Sequence, residues 1–326
     1  MTSLSSFRVV YKVVDEQEID ADVYLPSTKQ KRPSPAPILI DIHGGAFMLG
    51  SSKMVNRDQI QDCLHRGWVV VAPNHRLCPQ VTLLGGPMQD CRDLLTWIYK
   101  GGLEQFISIE HQQLQLDLDH VFAFGTSSGG TLALSLGFGI PRPVAGILSM
   151  YGPCKFKDDF WTTQLAHIAA KLPSNLDKEF LGRVFSESPI PITSGVSLEG
   201  QTPGPPDFTD PRQAYALTRI AKGQVLQAII PDGQYDQVDP VRNISNTFPP
   251  VFIVHGTADT MVPIHLSRAL FDELRKHDVQ CGMIEVPDEE HTFAAKMQIG
   301  SETWNLQRQG FDFLQSLIRR THVEMV

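Results

Sequence analysis

Residues 121–134 set Ser127 between Gly125 and Gly129, with Val121-Phe122-Ala123-Phe124 before it and Leu132-Ala133-Leu134 after it. Four consecutive apolar residues suit a buried parallel strand, and the Ala/Leu-rich run suits a helix. A serine at the turn between the two demands a backbone so tight that the positions two before and two after it leave no room for a side chain. Such a turn lifts the hydroxyl clear of the main chain. It also sets the hydroxyl beside a helix N-terminus, whose free N–H groups favour developing negative charge. A neutral hydroxyl is still a poor nucleophile. It needs an imidazole to take its proton and a carboxylate to hold that imidazole in the right tautomer.

In an open parallel sheet those partners must lie on loops at the carboxyl ends of strands. That condition selects among eleven histidines and thirty-six acidic residues. Asp259 follows the strand pattern Val251-Phe252-Ile253-Val254, and His291 lies in Pro287-Asp288-Glu289-Glu290-His291, after a strand pattern at 282–286. Each alone reads equally well as a surface polar group. Together, in the order Ser127, Asp259, His291 and each after a strand, they read as nucleophile, orienting acid and base. Asp232, Asp236 and Asp239 are rival acids but precede the last strand pair, and Glu289 and Glu290 are expected in solvent.

An acyl-transfer transition state places negative charge on the former carbonyl oxygen, which needs preorganised N–H donors about 3 Å away. Small residues after the strand pattern at 38–42 offer that approach in His43-Gly44-Gly45-Ala46-Phe47. The N–H groups of Gly45 and Ala46, with that of Ser128, are assigned as the oxyanion hole; which two dominate stays open. His43 is expected to orient this loop through a hydrogen bond, and His255 to fix the Asp259 loop. No second ligand is suitably spaced around His43 for a metal, and no cofactor is expected.

The chain has 326 residues, 42% of them hydrophobic and 20% charged, so a sizeable core is available. A net charge of −8 argues against nucleic acid or an anionic membrane surface as the main partner. Five scattered cysteines form no Cys-x-x-Cys pair, so reduced thiols and a cytoplasmic setting are expected. The first residues lack a basic segment followed by an apolar one, so no secretion signal is expected, and Asn243-Ile244-Ser245 is a chance match to a glycosylation acceptor. No apolar run approaches the roughly 20 residues of a membrane span.

Strand patterns at 7–14 and 19–25 come first, the second alternating like a half-exposed antiparallel strand. A Pro/Lys/Ser-rich loop at 26–37 follows, then buried strands at 38–42 and 69–72 and helices at 55–66 and around Met88 to Ile98. After the Ser127 turn comes a strand at 144–150. Alternation of strands and helices implies crossovers and a mostly parallel sheet covered on both faces. From 152 to 246 the rhythm changes: helical patterns at 160–172, 178–185 and 211–222 flank an irregular Pro/Gly/Ser-rich stretch at 186–211. We read this as an inserted helical cap, which divides the core into 1–151 and 247–326. Phe156, Phe160, Trp161, Leu165, Phe180, Phe185, Phe208 and Tyr215 are its candidate pocket residues, against the plainer reading that most pack the cap onto the body. A helix at 264–277, the strand at 282–286 and a C-terminal amphipathic helix marked by Trp304, Phe311, Leu314, Leu317 and Ile318 complete the chain.

The stretches His43-Gly44-Gly45-Ala46-Phe47, Asn74-His75-Arg76-Leu77-Cys78-Pro79-Gln80, Gly125-Thr126-Ser127-Ser128-Gly129-Gly130 and His255-Gly256-Thr257-Ala258-Asp259 resemble the α/β-hydrolase superfamily. Within it the chain is similar to esterases related to hormone-sensitive lipase, over nearly all its length except the cap. The resemblance implies the α/β-hydrolase fold and carboxyl-ester hydrolysis through an acyl-enzyme, without a cofactor. Ala46 stands where that family has a third Gly, Asn74-His75 where it has Asp-Tyr, and Gln80 where it has Glu. The Asp259 loop looks more like that of feruloyl-esterase and peptidase-like relatives, which leaves the subfamily open. The expected activity is hydrolysis of an ester or thioester of a small hydrophobic molecule. Alternatives keep the machinery: release of an acyl chain from an acyl carrier protein in a polyketide pathway, or amide hydrolysis of arylformamidase type. A ligand receptor on the same fold is disfavoured because Ser127, Asp259 and His291 are all present.

Overall fold

A computed structural model describes residues 4–27, 35–110, 114–195 and 206–321. Eight strands form one sheet: β1 (Phe7–Val14), β2 (Gln17–Tyr24), β3 (Ala36–Ile42), β4 (Val69–Pro73), β5 (Leu116–Thr126), β6 (Gly146–Met150), β7 (Val251–Gly256) and β8 (Cys281–Val286). Their spatial order is β1-β2-β4-β3-β5-β6-β7-β8. The β1–β2 and β2–β4 pairings are antiparallel and every later pairing is parallel. The parallel strands all end on one edge, so the loops that follow β3, β5, β7 and β8 share it.

The apolar runs of β3 and β5 are buried on both faces. Ile38, Ile40 and Ala123 feed the core on one side; Leu39, Phe122 and Phe124 feed the other. Helices cover the two faces, among them α1 (Arg57–His65), α2 (Gln89–Tyr99), α3 (Gly102–Glu110) and α4 (Ser128–Ser135). Asn56 caps α1 by accepting from Asp58 N and Gln59 N, which fixes its start two residues later than the sequence pattern suggests. Between β6 and β7 the described residues hold no strand, only α5 (Ala166–Ala169), α6 (Lys178–Gly182), α7 (Pro211–Ala221), α8 (Val225–Ile229) and short 3-10 turns. The chain then closes with α9 (Ile264–Lys276) and α10 (Glu302–Thr321). Phe311 of α10 packs edge-on to Phe124 of β5 at 5.1 Å.

Several expectations need correction. Residues 160–172 are not one helix. Asp158 caps a 3-10 turn at Asp159–Thr162, and the hydroxyls of Thr162 and Thr163 both donate back to Asp159 O, which ends the turn before α5 begins. The second strand is not half-exposed along its length: Asp22 is buried, accepting from Ser52 Oγ at 2.6 Å and Lys53 Nζ at 2.9 Å. Helix α3 and the early start of β5 at Leu116 were not anticipated from the pattern. The loop at 26–37 and the irregular stretch at 186–211 lie partly outside the described residues, at 28–34 and 196–205.

Candidate active site

Ser127 follows the last residue of β5 and precedes the first of α4, at φ 49° and ψ −124°. A non-glycine residue there carries backbone strain of about 1–3 kcal/mol, offset by the surrounding structure. The flanking glycines are dictated by close approach. A Cβ on Gly125 would sit 2.2 Å from Gly129 O, and one on Gly129 would sit 2.0 Å from Ile42 O. The second contact also seats the turn against the end of β3, the strand that leads into Gly45 and Ala46. Both of those residues have positive φ, 122° and 54°.

His291 Nε2 lies 3.0 Å from Ser127 Oγ, and His291 Nδ1 lies 2.6 Å from Asp259 Oδ2. Residues 127, 259 and 291 therefore come together in a single hydrogen-bonded chain, although they arrive on the loops after β5, β7 and β8. Burial alone would raise the Asp259 carboxyl. The charge of His291 and hydrogen bonds from His255 and His291 outweigh it and hold the carboxyl well below the usual carboxylate range. Asp259 Oδ1 is fixed as well, accepting from Met261 N at 2.9 Å and Val262 N at 2.8 Å. His255 sits at the end of β7, wholly buried, with Nε2 3.2 Å from Asp259 Oδ2 and 2.7 Å from Val262 O, and Nδ1 2.7 Å from Ser267 Oγ. It braces the Asp259 loop, as expected.

His43 Nδ1 contacts Gly44 O at 2.7 Å, and its ring stacks on His75 at 4.6 Å. Burial, with His75 beside it, pushes His43 down to about 3, and burial lowers His75 too, so both rings stay neutral near pH 7. Asn74 and His75 thus have defined places: Asn74 binds Asp20 and Ser52 N, and His75 stacks on His43. Of the rival acids, Asp239 is buried and accepts from Lys155 N, Phe156 N and Val241 N; Asp232 and Asp236 are exposed.

Two features were not read from the sequence. Tyr151 is fully buried at φ 41°, its ring edge-on to His291 at 5.0 Å and to Phe293 at 5.1 Å. Arg212 is buried and uses its whole guanidinium. Nε donates to Glu187, Nη1 to Met48 O and Cys78 O, and Nη2 to Gln80 and Glu187, all within 2.5–2.8 Å. The positive φ that Tyr151 adopts leaves no mark in an apolar stretch. An arginine inside a helical pattern looks solvent-facing until its partners are known.

A small apolar cavity of about 50 Å³ opens at Ser127 and His291, with Gly45, Ala46 and Phe47 on one side. Of the aromatic residues expected to line a pocket, Trp161 does so here, joined by Ile220, Val225, Leu226 and Met261. No group of three or more metal-ligating side chains occurs among the described residues. Nor is any helix there long and apolar enough to cross a membrane.

The BD-FAE family model matches residues 21–144, and the prolyl oligopeptidase family model matches residues 208–319. A Staphylococcus aureus protein of unknown function superposes with a TM-score of 0.67 at 20% identity, over 96% of this chain and 99% of that one. Esterase 2 of Thermogutta terrifontis, in a form phosphoramylated by tabun, superposes at 0.58 with 16% identity, over 98% of this chain and 94% of that one. This chain has the α/β-hydrolase fold. Within that fold it resembles the carboxylesterase-type serine hydrolases. Sequence relatives of this chain include non-reducing polyketide synthases. One from Penicillium brevicompactum is 28% identical over 97% of this chain, and one from Emericella nidulans is 27% identical over 94%. The chain spans 15% and 14% of the length of those two relatives.

Proposed function

We propose that this α/β-hydrolase cleaves a carboxylic ester or thioester of a small hydrophobic molecule through an acyl-enzyme on Ser127. The observation that carries the reading is the 3.0 Å approach of His291 Nε2 to Ser127 Oγ, with Nδ1 held by Asp259. In this mechanism the Nδ1–H donates to Asp259, which leaves the Nε2 lone pair free to accept the Ser127 proton. Oγ attacks the carbonyl carbon, and the oxyanion is held by N–H groups of Gly45, Ala46 and Ser128. His291 then hands its proton to the departing alcohol or thiol. Water, deprotonated by the same Nε2, attacks the acyl-enzyme and releases the acid and free Ser127.

A second reading is supported by the polyketide synthase relatives, which match this chain over nearly its whole length but only a small part of their own. Here the same Ser127 takes an acyl chain from the thioester of an acyl carrier protein. The same Oγ–acyl bond forms, but the bond broken is the thioester C–S bond, and the carrier's thiol leaves with the proton from His291.

The test is hydrolysis of nitrophenyl acyl esters and of acyl thioesters by the wild type and by Ser127→Ala. Turnover should fall by about 10³-fold or more in the variant, leaving only what binding and the oxyanion donors supply. Unchanged turnover in Ser127→Ala would overturn the assignment. A wild type faster on thioesters than on matched esters favours the carrier-protein reading.

A further inference from the structure

Three cavities meet at one side chain. Trp161 stands in the wall of the 50 Å³ cavity at Ser127, of an open cavity of about 460 Å³ with a mixed lining, and of a third of about 30 Å³ beside Phe160 and Leu165. It is the single residue common to these three, and with Leu226 it makes up the boundary shared by the first two. The indole is firmly held. Its Nε1–H donates to Cys154 O at 3.1 Å, and Phe156 and Phe160 meet its ring edge-on at 5.9 and 5.2 Å. Its turn is fixed from behind by Gly223, at φ 63°, where a Cβ would fall 2.5 Å from Thr163 O.

The two compartments differ in size and character. At roughly 10–15 Å³ per water centre the inner one has room for a few water molecules, which suits only a short apolar group. The outer one presents Gln227 and Tyr235 beside Lys157 and Asp158. Lys157 pairs with Asp236 at 2.7 Å and Asp158 with Lys155 at 3.0 Å, while Asp159 adds a further carboxylate to the same wall, so it mixes apolar surface with polar and acidic groups.

We propose that Trp161 is the partition that limits the apolar limb of the substrate at Ser127 and separates it from the outer cavity. The proposal rests on Ser127 being the nucleophile. Truncating an indole leaves a void that its neighbours fill only partly, so Trp161→Ala joins the two cavities and lengthens the limb the site accepts.

Two ester series test this, one with a fixed nitrophenyl leaving group and a lengthening acyl chain, the other with a fixed acetyl group and a lengthening alcohol. The expected result is that Trp161→Ala raises kcat/KM for long members relative to short ones by about tenfold or more in one series. Leu226→Ala should shift the ratio in the same direction, and Trp161→Phe, which keeps a ring in the wall, should return it toward the wild type. Circular dichroism and thermal melts establish that each variant is folded. An unchanged long-to-short ratio in both series, in folded Trp161→Ala and Leu226→Ala, overturns the partition while leaving the nucleophile intact. Labelling rates of Ser127 by short- and long-chain alkyl fluorophosphonates give the same ratio without turnover. No labelling at either length would remove the nucleophile and this proposal together.

Discussion

One carboxylate oxygen, Asp259 Oδ2, faces two imidazoles, His291 at 2.6 Å and His255 at 3.2 Å. An amide in its place presents either an acceptor or an N–H to them, and the amide face that donates would stabilise the wrong tautomer of His291. Asp259→Asn should therefore lower kcat by about 10³–10⁴-fold while the fold persists, as ester hydrolysis alongside a thermal melt will show. Loss of less than tenfold would mean that another group orients His291. The residues on which this depends were legible in the sequence because each is tied to a local signal: glycines around Ser127, and a strand pattern just before Asp259 and before His291. His255 was legible for the same reason. Tyr151 was not, since nothing local distinguishes a tyrosine that turns against a distant histidine from one that fills the core.

Helix α7 is joined to the body by Arg212, whose partners come from three other places in the chain: Met48, Cys78 with Gln80, and Glu187. Met48 N and Leu49 N in turn donate to Gly45 O, so the clamp reaches the loop that carries the proposed oxyanion donors. Lysine keeps the charge but has one nitrogen, and it cannot serve four groups spread around a planar fork. Arg212→Lys should cost about 3 kcal/mol in urea unfolding. It should also lower kcat by between about ten- and a hundredfold through misplacement of the loop, with KM less affected. A variant with wild-type kcat would uncouple α7 from the site. Elements with a strong period or a cap were legible, as β3, β7 and α9 show. Residues 160–172 misled because their apolar spacing is helical, while Asp158 and the two threonines bind the backbone locally and stop the turn. The departure at Gln80 acquires its meaning only with Arg212, 132 residues away.

Across the molecule, the sheet separates two cores, and a carboxyl on β3 is buried against one of them. Asp41 pairs in register with Phe124 on β5, on the side of Trp68 and Phe311, and burial pushes its carboxyl up to about 8. The unfolded carboxyl titrates near 3.9, so between about pH 4 and 8 the native state holds a proton that the unfolded state has lost. Stability therefore falls as pH rises through that window and levels off above it. His43 acts at the other end: buried neutral, it costs stability as pH falls from about 6.5 toward 3. Asp41→Asn should remove the first slope, raising Tm over the wild type by on the order of 5 °C at pH 8 and by less at pH 5. An equal change at both values would place the proton elsewhere. The wide spacing of the site along the chain has a further consequence during synthesis. His291 is made 164 residues after Ser127, which at ribosomal speeds of about 5–20 residues per second is a delay of roughly ten to thirty seconds. Throughout that interval a nascent chain carries the proposed nucleophile without its proposed base, and on that assignment Ser127 gains its partner only once β8 has left the ribosome and docked beside β7.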